Sequence, residues 1–128
     1  MIHQVRVIFG DTDQMGVVYY ANYLRWFEGA RAALLRERGL SGRHLSELGV
    51  AFPVAEAYCK YRRPAHYEDL LDVDIQVTEL GHVRIRFGYQ VLRGGELIAD
   101  GTTMHACVEA KSGRPVRIPA PLRAAFAG

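Results

Sequence analysis

The sequence has no apolar run long enough to cross a bilayer, and its first residues lack the apolar core of a signal peptide. We therefore expect a cytoplasmic protein with no membrane insertion. Cysteine is scarce: Cys59 and Cys107 both fall in strand-like stretches and lack the spacing of a metal site. We expect two small buried thiols rather than a disulfide or a nucleophile. No repeat or linker divides the chain, which predicts a single domain, 1–128.

Lysine is nearly absent, and neither sign of charge dominates. The 16 basic and 14 acidic residues leave a net charge of +2, so no electrostatic footprint indicates nucleic-acid binding. Fourteen of the 16 basic residues are arginine. Arginine suits bidentate recognition of carboxylate or phosphate, and a base-composition bias of the source genome is the plainer explanation of the same excess.

The first half of the chain predicts a strand, a turn and two helices. Residues 3–10 alternate as a strand does, and Asp11 to Gly16 carries turn signals. From about Tyr20 to Gly39, apolar side chains recur at helical spacing. They form two stripes, with Tyr20, Tyr23, Leu24, Phe27, Ala30 and Leu34 in one and Trp26 and Ala33 in the other. Ser41 is a candidate cap for a short helix through about Leu48.

The second half predicts four antiparallel strands. They cover residues 51–62, 70–80, 83–92 and a last stretch that ends near Val108. A three-residue loop, Leu80 to His82, keeps the apolar sides of the middle two strands together. Gly94-Gly95 suits a two-residue hairpin turn of the primed type. The segment "PAPLRAAFAG" predicts a short terminal helix.

The hairpin turn also predicts which residues face each other. It sets Val91 opposite Ile98 and Arg84 opposite His105. His105 is then expected on the polar face of the sheet, as a surface or interface residue.

The polar face of the sheet carries both signs of charge. We expect Asp72 and Asp74 to pair across strands with Arg84 and Arg86. One long apolar helix against a sheet that is apolar on one face only predicts an α+β fold with two layers.

The stretch "FGDTDQMGVVYYANYLRWFEGAR" places Asp11 and Asp13 in the turn that precedes the long helix. Unpaired backbone N–H groups and the positive end of the helix dipole lie there. These N–H groups could hold an oxyanion while a carboxylate attacks a substrate or activates water. Gly16 would let a ligand approach the backbone closely. The alternative is that the two acids only stabilise the turn and cap the helix.

Three segments of the sequence resemble hotdog-fold acyl-CoA thioesterases of the 4-hydroxybenzoyl-CoA thioesterase type. They are "DTDQMGVVYYANYLRWFEGARAALL", "VAFPVAEAYCKYRRPAHYEDLLDVDIQV" and "CVEAKSGRPVRIP", in the right order and over nearly the whole chain. The resemblance is strongest to the branch that contains the Tol–Pal-associated acyl-CoA thioesterases. It implies a long central helix wrapped by an antiparallel sheet.

The resemblance also implies an activity, the hydrolysis of an acyl-CoA to a free acid and coenzyme A without a cofactor. The family's catalytic aspartate falls on Asp13, as general base or as nucleophile through an anhydride. The N–H that polarises the thioester carbonyl falls at Tyr20, in the first turn of the helix, and Asp11 becomes a turn-orienting residue. Gly16 and Val17 are the implied substrate contacts.

Coenzyme phosphates need hydrogen-bond donors. The loop residues Arg114 and Arg117 are our first candidates, ahead of Arg62 and Arg63.

Two positions depart from the family. Many relatives have His in place of Tyr20, which bears on substrate choice because the implied role uses the backbone. Many have Asp in place of Glu109, with no consequence that follows from physical reasoning.

Three other functions remain open. A hotdog dehydratase or hydratase would need a histidine working with an acid, and none of the five histidines lies near the Asp13 turn in sequence. A sensor that binds acyl-CoA without turnover is expected to carry an added DNA-binding segment, and none precedes the first strand. A scaffold that has lost activity is the third. No metal-ligand cluster is readable, and the acyl group is left open between short aliphatic, aromatic and long chains.

The two apolar stripes of the helix exceed what one sheet face of so small a chain is expected to cover. Large exposed apolar patches are rare in monomers, so we expect at least a homodimer. The resemblance implies that two sheets join edge to edge and that each Asp13 turn faces a pocket completed by the partner. A homotetramer of stacked dimers fits as well.

Overall fold

The computed structural model describes residues 1–128. Its strands are β1 (Ile2–Arg6), β2 (Val50–Ala51), β3 (Val54–Tyr61), β4 (Leu70–Leu80), β5 (Arg84–Arg93), β6 (Glu96–Ala106) and β7 (Val108–Glu109). Its helices are α1 (Asn22–Glu37), α2 (Gly42–Glu47) and α3 (Ala120–Ala127), with one short 3-10 turn at Phe9–Asp11. No helix is both long and apolar enough to cross a membrane.

Five strands form one antiparallel sheet in the order β1-β4-β5-β6-β3, and β2 pairs with β7 separately. The apolar face of the sheet packs against α1, which confirms the predicted α+β fold of a long helix wrapped by an antiparallel sheet. Phe27 of α1 stacks on Tyr89 of β5 with ring centroids 4.1 Å apart. The predicted elements are present, but the stretch 51–62 is divided at Phe52–Pro53 because proline cannot donate to a ladder.

Most of the two apolar stripes of α1 is buried by the chain itself. Tyr23, Phe27, Ala30 and Leu34 are at most 3% exposed, and Trp26 and Ala33 are 3% and 8% exposed. Tyr20 and Leu24, which belong to the first stripe, are however 60% and 39% exposed, so one chain leaves part of that stripe uncovered, as expected. Further exposed apolar side chains lie on the outer strand β3.

The register of the β5–β6 hairpin changes part-way along. Gly94 and Gly95 have φ angles of 56° and 85°, as a primed turn requires, and Leu92 lies opposite Leu97. A bulge at Ile98 then shifts the pairing, so that Val91 faces Ala99 and Ile85 faces His105. One extra residue turns every later side chain of the strand to the other face. The predicted surface position of His105 is therefore wrong, and its side chain is buried in the core.

The predicted charge pairs on the outer face are also wrong. Asp74 pairs with the N-terminal amine at 3.3 Å, and Asp72 accepts a hydrogen bond from Gln4 of β1. Arg86 pairs instead with Glu79 on β4 and with Glu56 on β3. The reason is register, since Asp72 and Asp74 lie opposite Leu92 and Gln90, at the other end of β5 from Arg86. The β4–β5 loop is correspondingly Gly81–Val83 rather than Leu80–His82.

Both cysteines are free thiols, as predicted. Cys107 is fully buried, whereas Cys59 on β3 is half-buried. Burial raises the pKa of both thiols, so neither is an activated thiolate.

Candidate active site

The turn around Asp13 is closed by its own backbone. Thr12 and Val18 form an isolated antiparallel bridge, and the N–H of Asp13 donates to the carbonyl of Val17 at 2.9 Å. Gly16 has a φ of 79°, in the left-handed region that favours glycine. A Cβ added at Gly16 would meet no atom within 4 Å. The glycine is thus required by backbone conformation, and its exposed surface leaves room for a ligand.

The two oxygens of the Asp13 carboxylate have different surroundings. Oδ1 accepts a hydrogen bond from the Met15 N–H at 2.8 Å, which orients the group. Oδ2 accepts no hydrogen bond from the chain, although the residue is half-buried. One oxygen therefore holds the carboxylate in place while the other remains available for chemistry.

Asp11 holds the turn together. Its side chain is 6% exposed, and its Oδ1 accepts from the Arg25 guanidinium at 2.7 Å. Its Oδ2 accepts from the Ile8 N–H at 3.0 Å. The backbone carbonyl of Asp11 accepts from the Tyr19 N–H and from the Asn22 side-chain amide, each at 2.8 Å. These contacts join the turn to the start of α1, as a turn-orienting residue would.

Unpaired backbone donors lie immediately before α1. The N–H of Asn22 donates to the Tyr19 carbonyl, but those of Tyr20 and Ala21 have no acceptor in the chain. Tyr20 precedes the helix rather than lying in its first turn, because α1 begins at Asn22. Its N–H still lies at the positive end of a 16-residue helix. The Tyr61 hydroxyl donates to the Tyr20 carbonyl at 2.9 Å and so fixes the backbone there.

Asp13, Val17 and Tyr20 line one open cleft of about 300 Å³, together with Met15, Val18, Tyr23, Tyr61, Arg62, Arg63 and Pro64. Aromatic rings form its walls, with the Tyr61 ring 5.2 Å from that of Tyr23 and 6.3 Å from that of Tyr20. Burial raises the pKa of Tyr23 and of Tyr61 to about 12, so both hydroxyls stay neutral at neutral pH. Asp13 is the only carboxylate among the side chains that line the cleft.

The four candidate arginines form two pairs, one near the start of α1 and one near its far end. Arg62 and Arg63 line the Asp13 cleft and pair with Asp100 and Glu96. Arg114 and Arg117 do not line it.

The loop that carries Arg114 is tied to the far end of α1. The Ala110 N–H donates to the carbonyl of Gly49, which follows α2, and Arg117 contacts His82 at 2.9 Å. Since α1 is about 24 Å long, one chain does not bring Arg114 and Arg117 to Asp13.

Sequence reasoning missed Tyr23 and Tyr61 as parts of this site. Helical spacing assigns Tyr23 to the helix core, which is where most of its side chain lies. Tyr61 is 41 residues from Tyr20 and no local spacing connects them. Its position at the end of β3, directly before Arg62 and Arg63, is the one feature that could have indicated it.

Comparisons with known proteins agree with this architecture. The family model described as the thioesterase-like superfamily matches residues 7–126. An acyl-CoA thioesterase, YbgC, of Haemophilus influenzae is 37% identical over 95% of this chain and 90% of its own. A 1,4-dihydroxy-2-naphthoyl-CoA hydrolase of Synechococcus elongatus is 36% identical over 84% of this chain and 81% of its own.

Solved structures extend the likeness to the whole fold. A gentisyl-coenzyme A thioesterase superposes with a TM-score of 0.88 at 30% identity, and all of both chains is covered. A protein of Aquifex aeolicus superposes with a TM-score of 0.94 at 32% identity over 98% of each chain. The chain therefore belongs to the thioesterase-like superfamily and has the hotdog fold predicted from its sequence.

Proposed function

We propose that this protein is an acyl-CoA thioesterase, which hydrolyses an acyl-CoA to a free carboxylic acid and coenzyme A. One observation carries the proposal: the cleft is lined both by Asp13, whose Oδ2 is free, and by Tyr20, whose N–H has no acceptor. A carboxylate and an oxyanion donor are the two groups that acyl transfer to water needs. The names of the relatives support the same chemistry.

In the proposed reaction the thioester carbonyl oxygen accepts a hydrogen bond from the Tyr20 N–H. The helix dipole strengthens that bond as negative charge develops on the oxygen. Asp13 either removes a proton from the attacking water or attacks the carbonyl carbon itself. In the first case the C–S bond breaks after water adds to the carbonyl carbon, and Asp13 returns the proton to the departing thiolate. In the second case a mixed anhydride forms as the C–S bond breaks, and coenzyme A leaves as the thiolate. Water then cleaves the anhydride to the free acid and the Asp13 carboxylate, and the proton that this water releases converts the thiolate to the thiol. Both routes consume one water and use no cofactor.

The walls of the cleft favour an aromatic acyl group over an aliphatic one. Tyr20 and Tyr61 line the cleft and are 60% and 46% exposed, and aromatic pairs gain energy beyond the area they bury. The relatives named for 1,4-dihydroxy-2-naphthoyl-CoA and gentisyl-coenzyme A act on aromatic acyl groups by their names. Membership of the Tol–Pal-associated branch and a cytoplasmic location stay predictions from the sequence.

We further propose a homodimer that joins along β3. This strand is at one edge of the sheet, and Val54, Tyr58 and Tyr61 on it are 49%, 58% and 46% exposed. An open strand edge is a ready template for pairing with another chain. Antiparallel pairing of two copies of β3 would make the two α1 helices antiparallel. The far end of the partner, with its Arg114 and Arg117, would then approach the Asp13 cleft, and stacked dimers would give a tetramer.

A panel of aromatic and aliphatic acyl-CoA substrates, followed by release of free thiol, tests the proposed activity. A sensor would bind an acyl-CoA without releasing thiol. A hydratase would change the double-bond absorbance of an enoyl-CoA and leave the thioester intact. The cleft offers little support for the hydratase, because none of its lining residues is a histidine. Absence of thiol release from the whole panel would overturn the proposal.

A further inference from the structure

A second cavity, of about 350 Å³, lies between the C-terminal half of α1, the helices α2 and α3, and the inner face of the sheet. It shares no lining residue with the Asp13 cleft. Tyr23 lines the cleft, and Glu28, five residues or about 7.5 Å further along α1, is the first residue of the helix that lines the cavity. Phe27, between them on the helix, is fully buried. The cavity is therefore a separate site.

Three phenylalanines shape the apolar part of this cavity. Phe126 of α3 packs edge-to-face against Phe52, with ring centroids 5.8 Å apart, and against Phe87 at 6.1 Å. Leucines of α1 and α2 complete the wall. A further aromatic group in the cavity can pack against these rings in the edge-to-face or offset geometry that aromatic pairs prefer.

A chain of hydrogen bonds connects the polar end of the cavity to the core. The Nδ1 of His105 lies 3.0 Å from the Phe52 carbonyl oxygen, so Nδ1 is the donor. Burial lowers the pKa of His105, and its neutral Nε2 accepts from the Thr103 hydroxyl at 2.9 Å. Thr103 must then accept from the Tyr89 hydroxyl at 2.6 Å. Tyr89 in turn accepts from the Nη1 of Arg31 at 3.0 Å. Each hydrogen bond in this series therefore runs in the same direction, from Arg31 toward the Phe52 carbonyl.

This series of hydrogen bonds uses only one nitrogen of the Arg31 guanidinium, Nη1. The Nε–H and the two N–H groups of Nη2 have no acceptor in the protein, and Arg31 forms no ion pair. Glu28 and Arg36 also line the cavity, are exposed, and offset each other in charge. The half-buried Arg31 thus leaves one positive charge uncompensated and one edge of its planar fork free. That edge matches the two oxygens of a carboxylate.

We propose that this cavity binds a small monocarboxylate with an aromatic or compact apolar body. The carboxylate accepts two hydrogen bonds from the Nε–Nη2 edge of Arg31, and the body packs among Phe52, Phe87 and Phe126. The volume is within the range of small-molecule sites, about 300–1,000 Å³. The acids that the proposed hydrolysis releases belong to this class. The inference that this cavity binds the reaction product therefore rests on the proposed function, whereas the inference that it binds a monocarboxylate does not.

Isothermal titration calorimetry with 3-phenylpropionate tests the site, and uncharged 3-phenylpropan-1-ol is the matched probe. We expect the acid to bind, and the alcohol to bind about ten- to a hundredfold more weakly, as the loss of hydrogen bonds to a charged group predicts. Arg31→Met should weaken binding of the acid by a similar factor and leave the affinity for the alcohol unchanged. Arg43→Met is the control, because Arg43 lies on exposed α2 and pairs with Glu47 outside the cavity. Its affinity for the acid should equal that of the unmodified protein.

Two further variants keep the test decisive. Ala32 lines the cavity and takes no part in the hydrogen bonds of Arg31, so Ala32→Met should reduce the free volume and abolish binding of both probes even if Arg31→Met does not fold. Asp13→Asn should bind the acid normally, since Asp13 lines the other site. The proposal is overturned by no detectable binding of the acid, by equal binding of acid and alcohol, or by unchanged affinity in Ala32→Met. Loss of binding in Asp13→Asn would assign the acid to the cleft and overturn it too. Thiol release by the unmodified enzyme tests the proposed function independently.

Discussion

The hydroxyl of Tyr61 donates a hydrogen bond to the backbone carbonyl oxygen of Tyr20 over 2.9 Å. The bond joins the end of β3 to the turn before α1, where the unpaired N–H of Tyr20 lies. Rigid placement of that N–H is what an oxyanion donor requires, because a mobile dipole would have to be ordered during the reaction. The outer strand of the sheet thus supports the proposed catalytic backbone.

Tyr61→Phe should therefore lower kcat about two- to tenfold, the equivalent of one net hydrogen bond, and change KM less. Steady-state thiol release measures both constants. Tyr58→Phe is the matched control, because Tyr58 lies on the same strand and its hydroxyl has no hydrogen bond within the chain. Equal losses of kcat in the two variants would show that the Tyr61 bond does not position the site.

Asp11→Asn should reduce stability more than turnover. Asp11 is nearly buried and accepts from Arg25 and from the Ile8 N–H, so its neutral amide loses one charge-assisted bond. We expect the free energy of unfolding to fall by about 1–3 kcal/mol, less than for a fully buried pair because the Arg25 side chain is 58% exposed. Chemical denaturation measures this loss. A fall in kcat as large as that of Asp13→Asn would reassign the catalytic carboxylate.

Mixed dimers test whether the partner's arginines complete the site. The double variant Arg114→Ala/Arg117→Ala should raise KM, and its KM should depend less on salt. Co-expression with Asp13→Asn under separate affinity tags gives dimers in which one of the two sites joins an intact Asp13 to intact arginines of the other chain. These purified dimers should regain about half of the unmodified activity at low substrate concentration. If the arginines act within their own chain, no such site forms and the activity stays low.

His105 should make stability depend on pH. Burial lowers its pKa in the folded chain below the ordinary value of about 6.5, so the unfolded chain binds the proton more readily. Stability from this group is present above about pH 6.5 and is lost as the pH falls below it. His105→Gln should remove that part of the slope, so that the two unfolding curves converge toward acid pH. Parallel curves between pH 7 and pH 5 would contradict the buried neutral histidine.

Local patterns predicted most of the fold. Alternation located the strands 70–80 and 83–92, and the glycine pair at 94–95 has the positive φ angles that its turn type requires. The error at His105 came from the bulge at Ile98, which no local signal marks, because Ile98 is apolar and suits either face of the sheet.

The site was predictable only where its residues are neighbours in sequence. Asp13, Val17 and Tyr20, which line the cleft, are close in sequence, and their spacing is readable. Tyr61 reaches the cleft through the pairing of β3 with β6, which spacing does not encode. Arg114 and Arg117 are candidates by their chemistry alone, and their distance from Asp13 within one chain is evident only once the strands are folded.

Thiol release from the best acyl-CoA of the panel, by the unmodified protein and by Asp13→Asn, tests the central claim most directly. The side-chain amide of this variant can still hold the turn, because its oxygen accepts from the Met15 N–H, but it can neither remove a proton from water nor form an anhydride. We expect kcat to fall about 10²–10⁴-fold with an unchanged unfolding transition. Turnover in Asp13→Asn within a few-fold of the unmodified protein would contradict the account.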